Sequence, residues 1–172
     1  TQHMPVLTRT FNLHSQFAGA RITDLYPASY PGVVIRDSAT TFASGVLVNN
    51  GGRFEFKPLP DIAQIAPVND AEVWDVNGDG KQDIVMVGNS RGMDPDVVAY
   101  DAGIGLIMLG DGRGNYTEWR SDSSGFAVPD VARRIVHMKW DVDSTLIVAG
   151  VNGGQPRCFV APSNAKKRSQ GR

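Results

Sequence analysis

Short apolar runs separated by glycine-rich polar turns set the pattern of this chain from residue 40 onward, and they predict β-strands. Residues 42–48 read as one strand, Asn49-Asn50-Gly51-Gly52 as a tight turn and Arg53-Phe54-Glu55-Phe56 as the returning strand. Asn-Gly between apolar runs is the strongest short hairpin signal, because both central positions of such a turn take positive φ. Pro58 and Pro60 end the strand, since proline has no N–H for the ladder. Ile84-Val85-Met86-Val87-Gly88 is apolar without interruption, which implies a strand buried on both faces. After a polar connection over residues 89–102, Gly105-Leu106-Ile107-Met108-Leu109 reads as another buried strand. A turn over residues 110–114 links it to Asn115-Tyr116-Thr117-Glu118-Trp119.

Before residue 40 the period changes. Phe11, Ala18, Ile22 and Leu25 recur at helix-compatible spacing, with Thr10 as N-cap and Pro27 as the stop. Gly19 weakens the middle, so one helix or two short ones fit equally. Residues 1–39 form a helical lead-in or insertion, and His14 falls among its polar positions as a solvated residue rather than a ligand. At the other end, residues 164–172 carry Lys166, Lys167, Arg168 and Arg172 without an apolar partner, which reads as a disordered basic tail.

Chemistry concentrates in Asp75-Val76-Asn77-Gly78-Asp79-Gly80-Lys81-Gln82-Asp83. Asp75, Asn77, Asp79 and Asp83 are oxygen-bearing side chains, and three carboxylates this close repel one another unless a cation joins them. Ca²⁺ takes several such hard ligands in a flexible shell. Gly78 and Gly80 permit the turns that wrap a short loop around an ion, and Lys81 lends its backbone carbonyl. An EF-hand opens with the same spacing but closes with a bidentate Glu at its twelfth position, where this chain has Met86. The flanks, Ala71-Glu72-Val73-Trp74 and Ile84-Val85-Met86-Val87, are β-rich, which also counts against a helical calcium switch or a dockerin-like module. The expected site is therefore strand, loop, strand, with Ca²⁺ held by Asp75, Asn77, Asp79, Lys81 and Asp83. The plainer alternative is an acidic turn without metal.

That loop resembles the FG-GAP or VCBS repeat, the calcium-loop blade of integrin-α-like β-propellers, whose pattern D-x-[DN]-x-D-G-x-x-D is met at each ligand position. Leu47-Val48-Asn49-Asn50-Gly51-Gly52-Arg53-Phe54 and Leu109-Gly110-Asp111-Gly112-Arg113-Gly114-Asn115-Tyr116 look like the outer hairpins of such repeats. Residues 42–126 are similar to the last repeats of large bacterial VCBS-repeat surface proteins. The resemblance implies a mainly β fold, a partial β-propeller of two to three four-stranded blades over residues 40–163. Arg134-Ile135-Val136-His137-Met138-Lys139-Trp140 then aligns with the strand ending at Trp74, and Asp141-Val142-Asp143 with Asp75-Val76-Asn77. Ser144-Thr145-Leu146 follows without the glycines or the last two acidic ligands, so that worn blade keeps its fold and loses its metal. A propeller closes a ring of several blades, so the chain is expected to be part of a longer one or completed by other subunits.

Composition narrows the function. A formal net charge of −1, with 20% charged residues, gives no electrostatic reason to expect nucleic acid or an anionic membrane. No apolar run is long enough for a membrane span, and Cys158, the only cysteine, leaves the redox compartment open. Carboxylate pairs carry acid and base roles in glycosidases, and Asp94, Asp96 and Asp101 share one connection while His137 precedes Asp141 by one short segment. That makes a glycan-processing propeller enzyme the alternative. Yet aspartates punctuate turns, and no nucleophile motif or His-rich metal set is present. Gly110-Asp111-Gly112-Arg113-Gly114 lacks the Lys-Ser/Thr pair of a phosphate loop. The expected protein is a non-enzymatic binding or adhesion module with structural Ca²⁺ and no catalytic residue. Its location is extracellular, cell-surface or periplasmic, and its protein or glycan ligand docks on residues 89–102 or 121–130.

Overall fold

The computed structural model describes residues 11, 13–25, 37–92 and 98–162, and the chain divides into two compact units, Thr1–Phe42 and Ala43–Arg172. Thr10, Pro27, Asp94, Asp96 and the basic tail lie outside the described residues. Among the described residues of the first unit the helical period gives two short helices, α1 (His14–Ala18) and α2 (Ile22–Leu25). The α1 C-cap falls at Gly19, where a helix loses most by continuing. Asp24 accepts the N–H of Arg21 at 2.8 Å, and Phe17 meets Phe11 edge-on at 5.9 Å between ring centroids.

The second unit is mainly β, built of three antiparallel sheets, and no closed barrel forms among the described residues. The first sheet is the hairpin of β1 (Gly45–Asn50) and β2 (Arg53–Pro58). Its two-residue turn puts Gly51 and Gly52 at φ 66° and 93°, the sign the Asn-Gly signal demands. The second sheet is a meander, β3 (Val68–Trp74), β4 (Asp83–Gly88), β5 (Leu106–Gly110) and β6 (Tyr116–Glu118), hydrogen-bonded in that order. The third follows the same path with β7 (Ala132–Lys139), β8 (Ser144–Val151) and β9 (Arg157–Pro162).

These sheets stack face to face, and the stacking explains the uninterrupted apolar run of β4. Ile84, Met86 and Met108 bury one face of the second sheet against Leu59 and against Ala63 of the 3-10 turn Asp61–Gln64. Val85, Val87 and Ile107 bury the other against Ile135, Ile147 and Ala149 of the third. The connection from the second sheet to the third holds a short helix, α3 (Ser121–Ser124), stopped by Gly125 in the left-handed region. Its continuation sinks Phe126 and Val128 into the same core. Two residues of the 121–130 segment, expected as a ligand-facing loop, are therefore core, and the rest of it stays exposed or half-buried.

The third sheet starts in the manner of the second. Both begin with a β-bulge, between Val68 and Asp70 in β3 and between Ala132 and Arg134 in β7. Both first strands run up to a tryptophan, Trp74 and Trp140, before the hairpin loop. Bulges increase local twist and free a side chain from the ladder, and Asn69 uses that freedom to bridge the sheets. Its amide donates to the carbonyls of Asn89, at 2.9 Å, and Ala132, at 2.8 Å.

Candidate metal centre

The Asp75–Asp83 loop joins β3 to β4, strand to strand as the flanking residues require. Asp75 organises it from the inside. Its carboxylate accepts the backbone N–H groups of Gly78 and Asp79, at 2.7 and 2.9 Å, and of Gly80, at 2.7 Å. Asn77 accepts the N–H of Asp79 at 2.9 Å, and Asp79 that of Lys81 at 2.9 Å. Gly78 and Gly80 sit at φ 75° and 84°, so the turns use the freedom that only glycine supplies cheaply.

Asp83 closes the loop. Its side chain is fully buried, with one oxygen accepting the N–H of Val76 at 3.0 Å and the other that of Gly110 at 2.9 Å. Burial pushes this carboxyl above its ordinary range and the nearby Asp79 charge adds to the rise, while the backbone amides of Gly110, Val76 and Asn77 pull the other way. No Lys, Arg or His forms an ion pair with it among the described residues. The nearest cation in the loop, the Lys81 ammonium, lies 3.9 Å from Asp79 instead.

The predicted ligand residues share one loop between two strands, and their chemistry fits a hard divalent cation: side-chain oxygen atoms, and a buried carboxylate with no ion pair among the described residues. Among the described residues, however, no three acidic, histidine or cysteine side chains converge on a common point, because these carboxylates are turned toward backbone amides. Each carboxylate oxygen offers more than one acceptor direction.

Gly110 is a member of the site that the sequence presented only as a turn residue. Its N–H caps Asp83, and a Cβ there would collide with the carbonyl of Gln82. Gly110→Ala is expected to break the loop closure and destabilise the fold by about 1–3 kcal/mol, read as a lowered urea midpoint. Beyond it, the residue 110–114 turn is organised by Asp111 from within, and Lys57 holds it from β2 by donating to the Arg113 carbonyl at 3.0 Å. Asp111 accepts from the N–H groups of Arg113 and Asn115 and from the Asn115 amide, at 2.7, 3.1 and 2.6 Å. Those bonds, the side-chain one foremost, lower its carboxyl to about 2. Because the folded value lies below the unfolded one, the stability Asp111 contributes is present above the ordinary carboxylate pKa and lost as pH falls through about 2. A carboxyl ¹³C titration should find its midpoint there, and Asn115→Ala should raise it.

The worn loop before β8 is shorter and poorer. Asp141 accepts the N–H of Asp143 at 2.8 Å, and Trp140 N–H donates to the Ser144 carbonyl at 3.0 Å, closing the hairpin at once. His137, four residues before Asp141, turns instead to β3: its Nδ1 lies 3.1 Å from Glu72 and its ring stacks on Trp74 at 4.2 Å. Asp101 pairs with Arg91 at 2.8 Å, and Ser90 bridges to Tyr100, so the two described ends of the 89–102 connection lie side by side. Asn89, buried at φ 74°, anchors the start of that segment. Its amide donates to the carbonyls of Gly103, Pro129 and Asp130, and its oxygen accepts the Gly103 N–H. An asparagine after an apolar strand was the only sequence sign of it.

No known protein family, no curated protein and no solved structure matches this chain.

Proposed function

We propose that this chain is a stack of FG-GAP- or VCBS-like propeller blades, stiffened by Ca²⁺, that serves as a non-enzymatic binding or adhesion module outside the cell or on its surface. The observation that carries the reading is the buried Asp83 carboxylate, with no ion pair among the described residues, closing a loop in which Asp75, Asn77 and Asp79 also carry side-chain oxygens. Ca²⁺ would be held by Asp75, Asn77, Asp79, the Lys81 carbonyl and Asp83, neutralising the loop and pinning β3 to β4. Face-to-face stacking of successive meanders supports the propeller geometry, as does the side-by-side course of β3 and β7, the first strands of neighbouring sheets. Sites of this class in extracellular modules bind Ca²⁺ with dissociation constants on the order of 10⁻⁴ to 10⁻³ M. They fill at millimolar calcium, which favours an extracellular or periplasmic setting. The ligand, a protein or a glycan, would dock on loops held by the rigid stack.

Calcium should therefore stabilise the protein. At ten times the dissociation constant the gain is about 1.4 kcal/mol, which raises Tm by roughly 3–6 °C for a domain of this size. Differential scanning calorimetry with chelator and with millimolar Ca²⁺ reads it directly, and Asp79→Ala should abolish the difference. Identical melting with and without the ion would remove the metal from the proposal.

A further inference from the structure

The stack follows one rule through the second unit, and no described strand of that unit covers either of its end faces. β3 turns Asp70, Glu72 and Trp74 toward β7: Asp70 accepts the N–H of Ile135 at 3.0 Å, Glu72 meets His137 and Trp74 stacks on it. The neighbouring β4 turns Val85 and Val87 the same way, into the core shared with the third sheet. With the bulges and tryptophans of β3 and β7 superposed in register, the corresponding positions of the third sheet are Val136, Met138, Leu146 and Val148. They point away from the core. Two cross-strand rungs line them up, Val136–Val148–Cys158 and Met138–Leu146–Val160. Val136, Met138 and Val160 are 41, 49 and 58% exposed. The third sheet thus presents to solvent an aliphatic version of the face that, in the second sheet, receives the next sheet.

At the other end of the stack lies the partner that such a face requires. Val46 of β1 packs inward on the second sheet, so Leu47, paired with Phe56, and Phe54, paired with Asn49, occupy the outward side. Leu47 and Phe54 are 66 and 62% exposed. This uncharged outward side is the one by which the stacking rule would dock a sheet onto a preceding one.

We propose that copies of this chain associate head to tail, the open third-sheet face of one copy receiving the open first-sheet face of the next. The contact continues the sheet-on-sheet packing already present inside each copy, and it buries apolar surface that a monomer leaves in water. It joins two different surfaces, so it propagates, ending in a closed ring or running on as a filament. Nothing in it depends on the cation.

Sedimentation velocity over a concentration series of the whole chain, with reductant present because Cys158 is an exposed thiol, tests the proposal. The mass of the unaltered chain should rise with concentration beyond that of a monomer. Met138→Lys blocks one face and Phe54→Lys the other, so each variant alone should be monomeric. Mixed in equal amounts they should form a dimer and stop there, since each retains the face the other lacks. Should either variant lose the wild-type far-UV circular dichroism, Val160→Lys and Leu47→Lys block the same two faces. Three results would overturn the idea: an unaltered chain that stays monomeric at every concentration, a single variant that still self-associates, or a mixture that stays monomeric. A monomer that still shows calcium-dependent melting would reject the assembly while leaving the blade reading intact.

Discussion

Asp83→Ala is expected to be among the most damaging single changes in the second unit, lowering stability by about 2–4 kcal/mol. The carboxylate is the sole acceptor described for the Val76 and Gly110 amides, and it holds them in a site closed to water. Truncation orphans both, at about 1–3 kcal/mol for each buried unsatisfied group, and part of that cost is offset because a desolvated charge is removed. Urea unfolding should show a lower midpoint with an unchanged slope, the mark of lost stability without a change in the surface exposed. Asp83→Asn separates the two roles of this residue. It keeps the shape and one of the two acceptors while removing the charge, and its NH2 faces the other backbone amide, so without calcium it should be less stable than the parent. The calcium-dependent rise in Tm should vanish. An alanine variant as stable as the parent would show that the loop closes without Asp83, and an asparagine variant with a full calcium response would place the ion elsewhere.

Asn89 carries the second large effect, and its two simplest replacements rank by different physics. Alanine loses the bonds to Gly103, Pro129 and Asp130 and must also hold φ near 74°. For a residue with a Cβ that conformation costs about 1–2 kcal/mol, whereas asparagine tolerates it. Orphaned carbonyls and the unpaired Gly103 amide add about 1–3 kcal/mol. Asn89→Gly loses the same bonds but takes positive φ freely, so it should be less damaging than alanine by about 1 kcal/mol. The expected order of stability in urea is therefore asparagine, glycine, alanine. If alanine equalled or exceeded glycine, the left-handed backbone would not be contributing.

Legibility followed the range of the interaction. Strand positions, the Gly51-Gly52 turn and the strand-loop-strand course of residues 68–88 are local matters of backbone sterics and neighbouring side chains. The order of residues alone carries them. Asn69, Gly110, Asn89 and the Glu72–His137–Trp74 contact are not legible in that way, because each is defined by a partner tens of residues away whose distance only packing sets. His137 is the clearest case: proximity in sequence pointed to Asp141, and sheet stacking gave it Glu72 and Trp74 instead.

Alternation and glycine placement were enough to make this a β protein with an oxygen-lined loop between two strands, since both follow from what each residue's own backbone and side chain allow. Which face of each sheet is covered, which carboxylate is shut away from water and which apolar rungs stay open are set by how the three sheets lie on one another. That arrangement depends on burying area shared among distant strands, a quantity that no single stretch of the chain contains.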